Sequence, residues 1–327
     1  MPALPRIVLA PLAGGPSTPE LAAAVSNAGG LGFVAAGYLS ADELARRLEQ
    51  ARAATDGPLG VNVFVLHEQP VDDGALAAYA RELQKDAALY EVQLGDPRFD
   101  DDELEAKLDA ATGADVLSTT FGCLAAETIA RLQSSGTEVW ATVTSVREAH
   151  DAAAAGVDAL VVQGTEAGGH SGAWVDGDEP VPPLLELLAQ IRQVVEIPLV
   201  ATGGIAARAH VAAVLDAGAD AAQVGSAFLL APEAGTSAPH RRALARPGET
   251  ALTRAFTGRR ARGIVNEFMR AHPDAPRAYP HVNHLTAPLR AAARAAGDDQ
   301  RINLWAGVNH AEAEARPAAE IVAALEA

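Results

Sequence analysis

Short apolar segments alternate with alanine- and leucine-rich helical segments along the first two thirds of this chain of 327 residues. The segments that predict strands span residues 7–10, 31–36, 59–66, 116–120, 139–143, 159–162, 199–202 and 222–224. Their continuous apolar character is typical of parallel strands that are buried on both faces. The even alternation predicts a closed (β/α)8 TIM barrel of the α/β class. A doubly wound sheet is disfavoured because no G-x-G-x-x-G turn follows the first strand.

Two segments interrupt this alternation. Residues 66–112 are polar and rich in helical stretches, which predicts a helical insertion that caps the barrel after its third strand. Residues 232–327 mix proline, glycine, arginine and histidine with short helical stretches and are too long for a plain loop. We therefore expect residues 1–231 to form the barrel. Residues 232–327 should form a helical segment that covers the barrel mouth and returns to the barrel.

The composition argues against several classes of protein. Asp and Glu number 42 against 25 Lys and Arg, and the net charge of −17 disfavours binding to nucleic acid or to an anionic membrane surface. The single cysteine, Cys123, leaves no disulfide within the chain and is expected to be a small buried apolar residue. No signal-peptide pattern opens the sequence, and no apolar run is long enough to span a bilayer. We expect a cytoplasmic protein.

The sixth predicted strand leads into residues 163–172, whose sequence is QGTEAGGHSG. Active sites of (β/α)8 barrels lie at the C-termini of the strands. Glycine lets the backbone approach a flat or anionic ligand closely, and histidine suits proton transfer near neutral pH. His170 is therefore predicted to be catalytic or to contact a ligand, although a lone histidine is more often structural. No other His, Cys or carboxylate stands at metal-ligand spacing, so no metal site is predicted.

Glycine turns follow the seventh and eighth predicted strands, with the sequences TGGI at 202–205 and QVGS at 223–226. Turns at these two strands form the usual phosphate site of a barrel, where backbone N–H groups hold the anion. Ser226 can add a hydroxyl donor. The alternative is that the glycines only make tight turns. The presence of both turns at the expected strands favours phosphate binding.

Other candidate site residues lie near strand ends or in the last third of the chain. Asn62 lies in the third strand, and residues 10–15 follow the first. His281 and His284 could line the mouth of the site or lie on the surface, and the sequence does not separate these alternatives. The arginine runs 241–242 and 259–262 are expected to be solvated, although one of them could reach a cofactor phosphate.

Taken together, these motifs resemble the nitronate monooxygenase family, formerly called 2-nitropropane dioxygenases. The resemblance covers nearly the whole chain. It rests on PLAGGPSTPEL at 11–21, AVSNAGGLG at 24–32, GTEAGGH at 164–170, ATGGI at 201–205, QVGS at 223–226, AFTGR at 255–259 and LWAG at 304–307.

The resemblance implies an FMN-dependent TIM barrel that oxidises alkyl nitronates with O2 to carbonyl compounds and nitrite, with nitroalkanes as a further candidate substrate class. It implies that His170 removes the α-proton of a neutral nitroalkane, which a preformed nitronate does not require. Leu12, Ala13, Asn62 and Gln163 would contact the isoalloxazine or the ribityl chain. The residues that would hold the ribityl chain and the phosphate are Gly168, Gly203, Gly204, Gln223, Gly225 and Ser226. Of the family's substrate-pocket tyrosines, we assign only Tyr279 to a position in this chain.

Two alternatives remain open at this stage. Related FMN barrels with a Gly-Gly-His motif are NADH-dependent reductases of quinones or of enoyl-acyl carrier protein, but the chain has no separate dinucleotide fingerprint. A flavin-free, non-catalytic barrel is disfavoured because both phosphate turns and the histidine loop occur together. We expect small-molecule substrates, no nucleic-acid or membrane partner, and a monomer or homodimer.

Overall fold

The computed structural model describes residues 4–326, and its central feature is a closed barrel of parallel strands. The sheet order is β1-β9-β8-β6-β5-β4-β3-β2. Between the first and last strands of this order, Leu9 N–H donates to Leu31 O at 2.9 Å and Leu31 N–H donates to Ile7 O at 3.0 Å, which closes the barrel. The barrel strands are Ile7–Leu9 (β1), Gly32–Ala35 (β2), Leu59–Phe64 (β3), Val116–Thr120 (β4), Glu138–Val143 (β5), Ala159–Gln163 (β6), Leu199–Thr202 (β8) and Ala221–Val224 (β9).

Each barrel strand is followed, directly or after an excursion, by a helix that packs its apolar face on the barrel. Several of these helices begin at a side-chain cap: Thr18, Ser40 and Ser145 each accept a hydrogen bond from a backbone N–H of the first turn. The barrel helices are Pro19–Asn27 (α1), Ala41–Ala54 (α2), Leu104–Ala110 (α5), Ala126–Ser134 (α6), Val146–Ala155 (α7), Leu184–Arg192 (α8), Arg208–Asp216 (α9) and Ala318–Glu326 (α13).

Two excursions leave the barrel at the carboxyl ends of its strands. The first, between β3 and α5, contains Asp73–Glu82 (α3) and Gln84–Ala88 (α4). The second, between β9 and α13, is called the cover here. Its elements are Ala238–Leu244 (α10), Thr250–Thr253 (β10), Ala261–Ile264 (β11), Glu267–Ala271 (α11) and His281–Ala295 (α12), with short 3-10 turns at Ser226–Phe228 and His310–Glu312.

The two excursions share a hydrophobic core of their own. Leu76, Tyr79 and Leu83 of the insertion pack with cover residues that include Phe256 and Phe268. The Tyr79 hydroxyl also donates to Ala255 O at 2.6 Å. The main core lies between the strands and the surrounding helices, separate from this second core. The insertion and the cover therefore form one layer above the barrel mouth.

The TIM barrel predicted from the sequence is confirmed, and the predicted strands match the observed ones to within two residues. The cover is not wholly helical. Its strands β10 and β11 form an antiparallel sheet with Gly169–His170 (β7), which lies in the loop after β6. Within residues 4–326, no helix is both long and apolar enough to cross a membrane.

Candidate active site

A cavity of about 420 Å³ opens at the carboxyl ends of the barrel strands, and we call it the inner chamber. This volume falls in the range of small-molecule sites. The sequence-predicted site residues all line it, which brings together positions far apart in the chain. These residues are Leu12, Ala13, Asn62, Gln163, Gly168, His170, Gly203, Gly204, Gln223, Gly225 and Ser226.

A second cavity, of about 610 Å³, lies between the loop 98–103 of the insertion and helix α12 of the cover. We call it the outer chamber. His170 therefore lies where the two chambers meet, whereas the glycine turns after β8 and β9 line only the inner one. The residues that line both chambers are Ala13, Gly14, Tyr38, His170, Arg294, Asn303 and Trp305.

The backbone of His170 is fixed from two sides. On one side it pairs with Ala261 of β11. On the other, the Gln163 side chain donates through Nε2 to His170 O at 3.2 Å and accepts at Oε1 from Gly172 N–H at 2.7 Å. Both polar ends of Gln163 thus hold the histidine loop against the end of β6. Gln163 lines the inner chamber, but its amide is engaged by the protein.

The imidazole of His170 has one nitrogen bound to the protein and one available to a ligand. Nε2 lies 2.9 Å from Thr257 Oγ1, and the Thr257 hydroxyl is also 3.3 Å from Arg259 O. Within residues 4–326, no protein group hydrogen-bonds to Nδ1. Burial, followed by the charges of Arg259 and Arg290, lowers the pKa of His170 to about 3, so the ring is neutral at pH 7.

Aromatic rings and an arginine surround His170. The centroids of Trp305, Tyr279 and Phe121 lie 5.5, 5.6 and 5.8 Å from that of the imidazole. Arg259 places its guanidinium 4.0 Å from the centroid of Phe121 and is only 7% exposed. The expectation that the arginine run 259–262 is solvated is therefore wrong at Arg259. Its aliphatic stem and planar head are buried by the Phe121 ring and by hydrogen bonds to Ser171 O and Ala173 O.

The cover is bound directly to the glycine turns. Gly307 N–H donates to Ser226 Oγ at 2.9 Å, and Asn309 Nδ2 donates to Gly204 O at 2.7 Å. A Cβ at Gly168 would meet Ala306 C and Gly307 N at 2.4 Å, so only glycine permits this approach. Within the described chain, the backbone N–H groups of Gly204 and Gly225 donate no hydrogen bond to another backbone group.

Two amide side chains present acceptor oxygens at the inner chamber. Gln223 is 6% exposed, and no group in the described part of the protein bonds to its Oε1. The Nδ2 atom of Asn62 donates to Ser118 Oγ at 2.9 Å and to Thr120 Oγ1 at 3.0 Å, so its nitrogen is engaged by neighbouring strand β4. A buried acceptor without a partner is costly, and a ligand with N–H or O–H donors would remove that cost at Gln223.

The remaining candidates lie outside the inner chamber. His284 lines the outer chamber, where Nε2 is 2.7 Å from Asp100 Oδ2, and His281 lines neither chamber. Cys123 is half-buried against the barrel core, and burial raises its pKa to about 11, as expected for a structural thiol. In residues 4–326 no three His, Cys, Asp or Glu side chains are grouped for a metal ion.

Several residues of this site have no signal in the pattern of strands and helices, although the family resemblance had already singled out Tyr279. Thr257, Tyr279, Arg290, Arg294 and Trp305 come from the cover, where neither strand nor helix periodicity marks which side chains point to the barrel. AFTGR and LWAG contain Thr257 and Trp305, so a family motif was the one signal that could have drawn attention to them.

Comparison with known proteins agrees with this geometry. Residues 3–327 match the family described as nitronate monooxygenase. The chain belongs to the nitronate monooxygenase family. It is 38% identical to a nitronate monooxygenase from Paraburkholderia phytofirmans, with 98% of this chain and 91% of the relative covered. It is 34% identical to a probable nitronate monooxygenase from Staphylococcus aureus strain Newman, with coverages of 94% and 90%.

Two solved structures are similar to this nitronate monooxygenase family member. A nitroalkane oxidase from Streptomyces ansochromogenes is 50% identical, with a TM-score of 0.95 over 99% of this chain and 94% of that one. FabK from Thermotoga maritima is 25% identical, with a TM-score of 0.74 and coverages of 99% and 92%. The resemblance to the nitronate monooxygenase family seen in the sequence is therefore confirmed, and the chain is more similar to the oxidase than to FabK.

Proposed function

We propose that this protein is an FMN-dependent monooxygenase that oxidises alkyl nitronates with O2 to carbonyl compounds and nitrite. The observation that carries the proposal is the meeting of the two chambers at His170. There, a neutral imidazole with a free nitrogen lies beside buried cations, at the edge of a chamber lined by two phosphate-type glycine turns. Family membership supplies the reaction class.

The inner chamber fits FMN in its polar groups as well as its volume. The Gly204 and Gly225 backbone N–H groups are free to bind a phosphate, and the Ser226 hydroxyl, which accepts from Gly307, keeps its own hydrogen to donate. Gln223 Oε1 is a buried acceptor that can receive a hydrogen bond from the ribityl chain or the ring. When bound, FMN supplies the electron transfer and oxygen chemistry that protein side chains lack.

The residues around His170 favour an anionic substrate. Burial is the main reason why the pKa of His170 is low, and the charges of Arg259 and Arg290 add to it because protonation would create a third positive charge beside them. The same two charges attract a nitronate, which is already an anion and requires no base. A neutral nitroalkane needs His170 to accept a proton against that field. We therefore expect nitronates to be the better substrates and nitroalkanes to be slower ones.

Nitrite formation tests this function. The FMN-loaded protein is incubated aerobically with propionate 3-nitronate or 2-nitropropane while nitrite and O2 are measured. We expect nitrite release and O2 consumption, faster with the nitronate. A fully flavin-loaded protein that produces no nitrite and consumes no O2 would overturn the proposal.

A second candidate is an NADH-dependent reductase of quinones or of enoyl-acyl carrier protein, and the likeness to FabK favours it. The discriminating measurement is made on the same flavin-loaded preparation under anaerobic conditions. Rapid bleaching of the flavin by NADH would support the reductase. Slow bleaching together with fast nitronate oxidation would support the oxygenase. The cytoplasmic location and the monomeric or homodimeric state remain predictions.

A further inference from the structure

Three arginine side chains line or flank the chambers at His170, and none has a carboxylate partner within ion-pair distance in residues 4–326. Arg259 bonds to the carbonyl oxygens of Ser171 and Ala173. Arg290 donates to Asn283 Oδ1 at 2.7 Å and to Thr286 Oγ1 at 3.0 Å. Asp100, Asp101, Asp102 and Glu103 also line the outer chamber, so the positive charge near His170 comes from these arginines and not from the chamber as a whole.

Arg294 differs from the other two because its guanidinium makes no hydrogen bond or ion pair in the described part of the chain. Its side chain is half-buried, and this burial lowers its pKa. A half-buried cation without a partner is unfavourable, and an arginine presents a planar fork of donors that matches a planar oxyanion. The side chain lines both chambers.

A second group beside the inner chamber lacks a partner as well. His240 of α10 is 7% exposed and lines the chamber, and no group within residues 4–326 bonds to its Nε2. Burial lowers the pKa of His240 to about 4, and the positive charge of Arg294 adds to this effect. His240 Nε2 and the guanidinium of Arg294 are thus two polar groups at the inner chamber that have no protein partner in residues 4–326.

The position of Arg294 indicates which ligand it serves. Gly203, Gly204, Gly225 and Ser226 line only the inner chamber, whereas Arg294 shares both chambers with His170. The glycine turns that would hold a phosphate thus border only the inner chamber, whereas Arg294 borders the outer one as well. A molecule that reached His170 from the outer chamber would pass the Arg294 side chain.

We propose that Arg294 binds an oxyanion of the substrate and so selects anionic over neutral substrates. The oxyanion is a nitronate group or a carboxylate on the same molecule, since both present two oxygens in one plane to a guanidinium. This inference rests on the proposed function for the identity of the substrate. The binding of a planar oxyanion at Arg294 does not depend on turnover and is measured separately.

A purely structural role makes a different prediction. Arg294 lies in the last turn of α12, where a basic side chain interacts favourably with the helix dipole. In that role, Arg294→Ala would lower the melting temperature slightly and leave the affinity for anions unchanged. Arg294→Lys would preserve the dipole interaction.

The test compares Arg294→Ala, Arg294→Lys and a control, Arg242→Ala. Arg242 is exposed, bonds to Gly297 O near the end of the same helix and lines neither chamber. Nitrate, a planar oxyanion that cannot be oxidised, is titrated into the flavin-loaded protein and followed by the flavin absorbance. The KM values are then measured for ethyl nitronate, propionate 3-nitronate and neutral nitroethane, together with the Kd values of FMN and riboflavin.

We expect Arg294→Ala to weaken nitrate binding and to raise the KM of the anionic substrates by about tenfold or more, as for loss of a charge-assisted hydrogen bond. The KM of nitroethane and the Kd of FMN should stay unchanged, Arg294→Lys should restore part of the loss, and Arg242→Ala should behave as wild type. A larger effect on propionate 3-nitronate than on ethyl nitronate would identify the carboxylate as the bound group.

Three results for Arg294→Ala would overturn the inference. The first is an equal rise in KM for nitroethane, and the second is an unchanged affinity for nitrate. The third is weaker binding of FMN with riboflavin unaffected, which would place the cofactor phosphate at Arg294. Failure of the proposed function has a different signature. In that case wild type releases no nitrite from any substrate, while the nitrate titration of wild type and variants still decides whether Arg294 binds an oxyanion.

Discussion

Thr257 has one hydroxyl hydrogen, and two neighbours in the site can accept it. If the hydroxyl donates to Arg259 O, it accepts from His170 Nε2–H, and Nδ1 is then the unprotonated nitrogen. Nδ1 is also the nitrogen to which no protein group bonds within residues 4–326. Thr257 is thus a positioning residue that sets the tautomer of His170 and leaves a lone pair free for a substrate proton.

Replacement of His170 should lower kcat/KM much more for neutral nitroalkanes than for nitronates. His170→Ala should retain FMN but lose about 10²–10⁴-fold in kcat/KM for neutral nitroalkanes, the usual contribution of a general base. Preformed nitronates should be affected much less, because they carry no α-proton to remove. Steady-state nitrite assays measure both, with the exposed His150→Ala as a control. Equal losses on both substrates would show that His170 only positions the substrate.

The low pKa of His170 predicts an unusual pH profile. Since its pKa is about 3, the neutral form is present throughout pH 5 to 8 and is lost only as the pH falls towards that value. An ordinary histidine, with a pKa of 6.5, would lose the neutral form below about pH 6.5. We expect kcat/KM for neutral nitroethane, which needs the base, to show no histidine ionisation between pH 5 and 8. An acidic limb near pH 6.5 that disappears in His170→Ala would contradict this.

The strand ends of the barrel are the elements that sequence reasoning located correctly. A parallel barrel brings every strand C-terminus to one face, so polar or glycine residues after buried apolar runs had to meet there. Asn62, Gln163 and Gln223 follow this rule and line one chamber. Strand β7 could not be predicted in this way. It has only two residues, which show no periodicity, and it pairs only with a hairpin of the cover.

Gly168 tests the junction between the histidine loop and the cover. In Gly168→Ala, the new Cβ would overlap backbone atoms of Ala306 and Gly307, and backbone atoms cannot rotate away as a side chain can. We expect a loss of about 1–3 kcal/mol in the free energy of unfolding and weaker FMN binding, as the cover is displaced from the glycine turns. Urea unfolding and flavin titration measure these effects.

The matched control is Gly177→Ala. Gly177 has no atom closer than 4.0 Å to an added Cβ and no positive φ value, so the same substitution should leave stability and flavin binding almost unchanged. If the two variants had the same free energy of unfolding and the same flavin affinity, the close approach at Gly168 would contribute to neither.

On the scale of the whole molecule, the active site is built between two hydrophobic cores. The barrel core fixes the strand ends, and the second core joins insertion and cover above them. The cover residues of the site escaped prediction for this reason. Arg259, for example, belongs to a charged run in the sequence and is buried only because Phe121, from the other side of the mouth, covers it.

Phe268 tests whether insertion and cover behave as one unit. It is 1% exposed, and its ring stacks on Phe256 at a centroid distance of 4.8 Å. Phe268→Ala should cost about 3–5 kcal/mol of stability. Because Leu76, Tyr79 and Leu83 pack on this core and α4 follows directly, hydrogen exchange should rise in residues 73–88 and 255–295 together while the barrel strands stay protected.

The corresponding variant in the barrel is Phe33→Ala, which removes a fully buried ring from a different cluster. Phe33→Ala should raise hydrogen exchange in the barrel strands. If Phe268→Ala raised exchange only within the cover, the insertion would be an independent unit and the shared core would not couple the two excursions.

The bonds between the cover and the glycine turns also bear on how the protein is assembled. Gly307 follows Ser226 by 81 residues and Asn309 follows Gly204 by 105, so the turns leave the ribosome well before the residues that close them. At about 5–20 residues per second, the interval is roughly 5 to 20 s. A cofactor can therefore enter an open mouth during synthesis. In the finished chain, the segment 304–309 is bonded to both turns, so we expect a cofactor bound early to leave only as fast as this segment separates from them.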